Sequence, residues 1–178
     1  RFEIVDDPAN SMLGVVGLCE CVNLLMGKEG REGRYGHSRE ADELGHRVMR
    51  RVQALAAEFR SAYCDVTDHH FALHAQVGID RDIGISPGAR IAIGEEPELY
   101  RHIRHAGAFH PYFPPGVGDI FPLEATGQNN PAAILDIIKG AFAAGMQYFS
   151  TYSSDSDVVR ITGYLVKRSD LERLAGGK

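Results

Sequence analysis

The chain has no tryptophan and only three cysteines in 178 residues. An odd number of thiols, with Cys19 and Cys21 two positions apart, does not make a disulfide framework. The nearest zinc-type pattern also lacks its second pair, so reduced thiols and no metal site are expected. A strong charge of one sign is absent too. The 19 Lys plus Arg against 24 Asp plus Glu, a net charge of -5, leave no broad basic surface for nucleic acid or an anionic membrane. No apolar run reaches the roughly 20 residues of a membrane span, and the first residues lack the basic segment and apolar core of a signal peptide, so a cytoplasmic protein is expected. There is no G-x-x-x-x-G-K-[ST] loop, no G-x-G-x-x-G after a strand and no G-x-S-x-G elbow, which removes most support for nucleotide or serine hydrolysis. What is present is 44% hydrophobic residues and 20 glycines, the composition of one globular unit. The chain opens on Arg1-Phe2-Glu3-Ile4-Val5 as though already inside a domain, and a piece of something longer is expected.

Residues 1–12 read as a short strand and a loop, stopped by Asp6-Asp7-Pro8 with Asn10 or Ser11 as a helix cap. Leu13 to Met26 has only Glu20 and Asn23 as clearly polar residues before Gly27, which predicts one helix, apolar around most of its circumference and deep in a core. Residues 28–39, glycine-rich and charged, read as a surface loop. From Glu40 to Tyr63 the residues Leu44, Val48, Val52, Leu55 and Phe59 recur at spacings of three and four, predicting an amphipathic helix of about six turns. Between Asp65 and Gly94 the periodicity is poor, and one or two short strands such as Arg90–Ile93 are expected. Glu95–Ala106 reads as a helix with Pro97 in its first turn and Gly107 as its stop. Phe109 to Gly116 reads as an ordered loop of the functional kind. Pro131–Gly145 predicts a helix opened by Asn129 or Asn130 and closed by Gly145. Residues 146–151 and 158–166 are strand-like, and a short helix follows Ser169.

Three constellations could carry chemistry. The first is Gly163 in Arg160-Ile161-Thr162-Gly163-Tyr164-Leu165-Val166. A glycine in a strand commonly marks a bulge. Its sharper reading is radical storage, because only glycine leaves Cα free of a Cβ and able to flatten between an amide nitrogen and a carbonyl. The second is Cys19-Glu20-Cys21. A thiol near such a radical could relay a hydrogen atom with the carboxylate as proton acceptor or hydrogen-bond partner, while a buried cysteine is otherwise a small hydrophobe. The third is the histidine set His69, His70 and His74, then His102, His105 and His110. His70 and His74 would share a face if that stretch were helical, as would His102 and His105. Hydrogen-bonded or solvated structural histidines are the reading for most of them, with His110 in the aromatic loop singled out for a pocket.

The order of these features resembles one family. Gly14-Val15-Val16-Gly17-Leu18-Cys19-Glu20, followed by Leu24-Leu25-Met26-Gly27-Lys28, is similar to the Gly-hydrophobic-Gly-Leu-x-Glu helix of anaerobic ribonucleotide reductases. Tyr35-Gly36-His37 fits the next block, His110-Pro111-Tyr112-Phe113-Pro114 through Gly118 resembles that family's loop after the barrel, and Arg160 to Tyr164 resembles its glycyl radical end. Among glycyl radical enzymes the ending Arg160 to Ser169 most resembles the YjjI type. The four-cysteine zinc site of the reductases is missing, since residues 150–159 hold no cysteine. Ribonucleotide reduction is therefore the runner-up.

The resemblance implies an α/β fold, helix-rich with short strands, forming the C-terminal part of a ten-stranded barrel over residues 1–145 and a glycyl radical loop domain over 146–178. It implies a radical at Gly163, installed by a separate radical-SAM activating enzyme with S-adenosylmethionine and an iron–sulfur cluster, with no cofactor bound to this chain. Arg160 and Tyr164 would shape the loop, and Glu20 and His110 would face substrate. A cysteine thiyl abstracts the substrate hydrogen. That cysteine is either upstream, in an N-terminal remainder of the same protein, or one of Cys19 and Cys21. An anaerobic, cytoplasmic homodimer acting on an unidentified small molecule is expected. The alternatives are a non-catalytic spare radical module and a plain structural or histidine metal-binding domain.

Overall fold

The computed structural model describes residues 12–75, 85–123, 129–153, 157–161 and 164–176. Strand β1 (Met12–Val15) runs parallel to β2 (Ala72–Ala75), with Met12 opposite Ala72 and Val15 opposite Ala75. Parallel pairing needs a long crossover. Here it is made by helices α1 (Leu18–Met26) and α2 (Arg39–Glu58). Helix α3 (Leu99–Phe109) leads through a 3₁₀ turn at His110–Tyr112 to β3 (Ile120–Leu123). Strand β3 pairs in parallel with β4 (Ser150–Ser153) across helix α4 (Pro131–Ala143). An antiparallel pair, β5 (Val158–Ile161) and β6 (Tyr164–Lys167), precedes helix α5 (Arg168–Ala175).

The mixed α/β, helix-rich character with short strands is as expected. No closed barrel is formed among the described residues, whose strands fall into three separate pairs. No helix among them is long and apolar enough to cross a membrane.

Several local expectations are corrected. The predicted helix over 13–26 is a strand and a shorter helix, broken at Gly17, whose φ of 76° is a left-handed conformation open to glycine at little cost. Helix α1 buries only Leu18, Cys19 and Val22, while Leu24 and Leu25 are exposed, so the apolar run is not enclosed on all sides. Helix α2 ends at Glu58, and its buried line is Ala41, Gly45, Met49 and Ala56. Leu44, Val48 and Val52 flank that line, and Leu55 and Phe59 face outward. Position 45 on that line is glycine because the Tyr35 ring leaves no room for a side chain: a Cβ there would lie 2.7 Å from Tyr35 Cε2. Residues Arg90–Ile93 form no strand.

Gly107 does not stop α3 but lies inside it. The reason is backbone contact, since a Cβ at Gly107 would lie 2.3 Å from the Ala144 carbonyl oxygen at the end of α4. No side-chain rotation relieves a backbone clash. Gly107→Ala is therefore expected to destabilise the protein by about 1–3 kcal/mol, although helix propensity alone favours alanine by about 1 kcal/mol. A urea denaturation midpoint that rises in the variant would refute this contact.

Two clusters form the core. The larger joins α1, α2 and α3 around Tyr35, Met49, Phe109 and Phe113. The smaller holds Ile103, Ala106, Phe121, Ala141 and Met146 between α3, β3 and α4.

Candidate functional site

The first turn of α1 is clasped to the loop at 85–88. Gly17 N–H donates to the Ser86 carbonyl at 2.8 Å, and Gly88 N–H donates to the Val15 carbonyl at 2.8 Å. The Glu20 carboxylate completes the clasp, its Oε1 accepting from Ser86 N–H at 3.0 Å and from Ser86 Oγ at 2.6 Å. Glu20 sits in the first helical turn, where the exposed N–H groups favour a negative charge. Its second oxygen, Oε2, is buried without a hydrogen-bond partner.

Cys19 packs inward beside this clasp and is 1% exposed. The Ser86 side chain and the Ala92 backbone are in hydrogen-bonding contact with its sulfur, and Asn23 Nδ2 approaches Sγ at 3.5 Å. Burial pushes the Cys19 pKa up to about 11, and the charges of Glu20 and Glu95 add to that rise against the opposing hydrogen bonds. At neutral pH this group is an S–H thiol. A hydrogen-atom donor needs the S–H bond, whereas a nucleophile or metal ligand needs the thiolate.

Cys21 is exposed. Two positions along a helix is a rotation of about 200°, so the two thiols diverge and the structure does not bring them together. Native-state alkylation followed by mass spectrometry should therefore modify Cys21 quickly and leave the buried Cys19 and Cys64 intact until denaturant is added. Equal rates at Cys19 and Cys21 would contradict this packing.

Tyr35 lies at the centre of the larger core, fully buried, with its hydroxyl donating to the Ala89 carbonyl at 2.9 Å. Burial first, and then the nearby Cys19, Asp42, Asp119 and Glu20, hold its phenol well above the usual range. Further along the 85–98 loop, Arg90 is 2% exposed and its Nε lies 3.3 Å from Asp119 Oδ1. His102 Nε2 lies 2.6 Å from Asp119 Oδ2, and Ile120 N–H donates to Oδ1 at 2.8 Å. Burial opposes ionisation of Asp119, but the hydrogen bond and charge of His102, with Arg90 and the Ile120 N–H, outweigh it and hold the carboxyl below its ordinary value.

His110 is fully buried. Its Nδ1 accepts the Gln147 N–H at 3.0 Å, which makes the ring's protonated nitrogen Nε2, and Nε2 is buried without a hydrogen-bond partner. Burial lowers its pKa, against a smaller opposing pull from Asp119. His110 thus ties the aromatic loop to the segment entering β4.

Of the remaining histidines, His102 and His105 share helix α3 as the spacing predicts, whereas His70 and His74 are not on a helix. His69 lies in a turn, His70 in an isolated antiparallel bridge with Arg60, and His74 on strand β2. His102 and His105 are buried on α3 beside carboxylates, His105 Nε2 lying 3.3 Å from Asp42 Oδ1. Among the described residues no group of three His, Cys, Asp or Glu side chains is arranged to hold a metal.

Gly163 and Thr162 lie outside the described residues. On either side of them, Arg160 in β5 is opposite Leu165, and Ile161 is the register partner of Tyr164 in β6. After β6, Asp157 accepts from Ser169 N–H at 3.1 Å and from its hydroxyl, tying the start of α5 back to the start of β5.

Ser86, Tyr35, Arg90 and Asp119 were missed by sequence reasoning. Arg90 and Asp119 each interrupt a short apolar run, a charge whose burial implies a partner. Ser86 carries no such signal.

Residues 4–178 match the family described as glycyl radical enzyme, YjjI-like. The uncharacterized protein YjjI of Escherichia coli (strain K12) is 41% identical over 162 residues, which is 91% of this chain and 31% of that protein. An uncharacterized protein of Haemophilus influenzae is 37% identical over 170 residues, 94% of this chain and 33% of its own length. The chain spans about a third of the length of these relatives. With almost all of its residues matched in one continuous stretch, the chain belongs to the YjjI-like family of glycyl radical enzymes.

Proposed function

We propose that this chain is the radical-bearing C-terminal part of a larger glycyl radical enzyme, with the radical stored on Gly163. The observation that carries this reading is the family match through residue 178, which includes the Arg160-Ile161-Thr162-Gly163-Tyr164 segment. In this reading a radical-SAM activating enzyme, using S-adenosylmethionine and its own iron–sulfur cluster, removes one hydrogen atom from the Gly163 Cα. The radical then takes a hydrogen atom from a cysteine S–H, and the resulting thiyl abstracts one from a small-molecule substrate and later returns it. Within this chain Cys19 suits the relay better than Cys21, because burial keeps its sulfur protonated and Glu20 and Ser86 stand beside it. Glu20 Oε2 and His110 Nε2, each buried without a hydrogen-bond partner, would be available to substrate.

A longer protein is supported by the strands themselves. Parallel sheets are normally covered on both faces and rarely stand as two-stranded pairs, yet Met12 and Leu13 on β1 are 48% and 41% exposed. An N-terminal remainder completing an α/β barrel would cover them. The setting would be the anaerobic cytoplasm and the assembly a homodimer. Ribonucleotide reduction is disfavoured by the absence of cysteine from residues 150–159.

The test is anaerobic electron paramagnetic resonance on the full-length protein with its activating enzyme, S-adenosylmethionine and a reductant, followed by brief air exposure and mass spectrometry. A doublet near the free-electron value and truncation at Gly163 are expected. An activating enzyme that works on a control protein but yields neither signal here would return Gly163 to the reading of a strand bulge.

A further inference from the structure

A cleft of about 450 Å³ lies between α2 and α3, away from the Cys19–Glu20–Ser86 clasp. We propose that it binds a small organic monoanion, a carboxylate carried on a planar apolar body. Its lining includes Asp42 and His46 from α2, Arg101, Arg104 and His105 from α3, and Glu98 at that helix's cap.

The flat surface is formed by stacked rings. The His46 imidazole lies against Phe109 with ring centres 4.1 Å apart and planes 5° from parallel, and its Nδ1 is 3.2 Å from the Tyr112 hydroxyl. Phe109 is fully buried and covers one face of the imidazole, so the outer face of the His46 ring is the surface offered to a planar apolar group, in the offset manner of aromatic pairs. The cationic end is formed by Arg101 and Arg104, one turn apart on α3. Arg104 is already positioned, with its Nη1 donating to the Tyr100 hydroxyl at 3.2 Å and its guanidinium 5.6 Å from that ring's centre. A guanidinium fork matches a carboxylate in two parallel hydrogen bonds.

The two acids in the wall are largely committed elsewhere. Glu98 accepts the Tyr100 and Arg101 N–H groups as the helix cap, each at 2.8 Å, and Asp42 Oδ1 accepts the Gly36 N–H at 2.7 Å. His105 is 7% exposed, and its Nε2 makes no hydrogen bond in spite of lying 3.3 Å from Asp42 Oδ1. That leaves a buried polar nitrogen on the cleft wall with no hydrogen-bond partner, an arrangement that costs free energy unless something fills it. Burial first, and then the charges of His105 and Arg50, lower the His46 pKa against the opposing pull of Asp42 and Glu43. The carboxylates at the edge set the ligand's charge: they oppose a dianion such as phosphate while leaving room for a single negative charge on an apolar body.

The test is a titration of the protein with benzoate, followed by proton NMR of the His46 and His105 ring resonances, with inorganic phosphate and acetate as comparison probes. Benzoate is expected to shift both rings saturably, with weaker shifts from acetate, which lacks the ring, and from phosphate, which carries more charge. Arg104→Gln should weaken benzoate roughly tenfold, and Arg51→Gln, outside the cleft, should leave it unchanged. No saturable shift at concentrations well above about 1 mM would overturn the proposal. So would equal affinity for phosphate, or undiminished binding in Arg104→Gln. None of these readouts depends on a radical, so failure here is separable from failure of the Gly163 assignment.

Discussion

A Gly163→Ala variant, activated under the conditions that give the unmodified protein its signal, is expected to show no glycyl doublet and no truncation in air. The effect should be complete rather than graded. The unpaired electron is stabilised only if Cα flattens between the amide nitrogen and the carbonyl, and a Cβ crowds that planar arrangement and removes the freedom glycine alone has. Because loss of signal could also follow from misfolding, the variant's thermal unfolding should be compared with that of the parent. An unchanged transition with no radical assigns the loss to chemistry at Cα. A full-strength doublet in the variant would sink the assignment of Gly163.

Asp119→Ala is expected to destabilise the fold by about 3–5 kcal/mol, the largest effect of any single side chain outside the radical segment. Asp119 is buried between Arg90 and His102 and accepts the Ile120 N–H as well. Removing it leaves a guanidinium in the interior without that carboxylate, and the desolvation of a charge is not recovered by the space vacated. Asp119→Asn keeps the shape and part of the hydrogen bonding while removing the charge, so it should fall between the two.

The pH dependence of the parent follows from the same contacts. Asp119 has a folded pKa below its unfolded value, so its contribution is present in full above the ordinary aspartate range and is lost as pH falls through the depressed folded value. His110 has a folded pKa below its ordinary 6.5. It is neutral in the fold, and its contribution is present above about pH 6.5 and is lost as pH falls through its folded value. Urea midpoints of the parent should decline first below about pH 6.5, where His110 contributes, and again below about pH 4, where Asp119 does. The second decline should be missing from Asp119→Asn, and a parallel decline in both below about pH 4 would refute its role.

Much of the local structure was legible because it depends on neighbours in the chain. Asn130 caps the helix that begins at Pro131, and Gly145 closes it with a φ of 97°. The loop from Phe109 to Gly116 is ordered, with His110 and Phe113 fully buried. The errors lie where a distant backbone overrides periodicity. Met12–Val15 became a strand because β2, some 60 positions on, offers a parallel edge. Gly107 stays inside its helix because Ala144 crosses it. The buried line on α2 runs through Gly45 because Tyr35 and Phe109 press against it there. No pattern of apolar spacing encodes those approaches.

The candidate site divides in the same way. Cys19, Glu20, His110 and Gly163 could be named from residue chemistry and from resemblance, because thiol, carboxylate, imidazole and an unsubstituted Cα each permit a particular reaction wherever they stand. The amino-acid sequence by itself determined the family and the helix-rich α/β character, since residue identity and order are what a family shares. Only the tertiary structure decided that Cys19 is buried and protonated while Cys21 faces outward, that Ser86 occupies one oxygen of Glu20, and that Arg90, Asp119 and His102 form one buried cluster. Burial and electrostatics are sums over neighbours brought together by folding, so they exist only once the chain has folded.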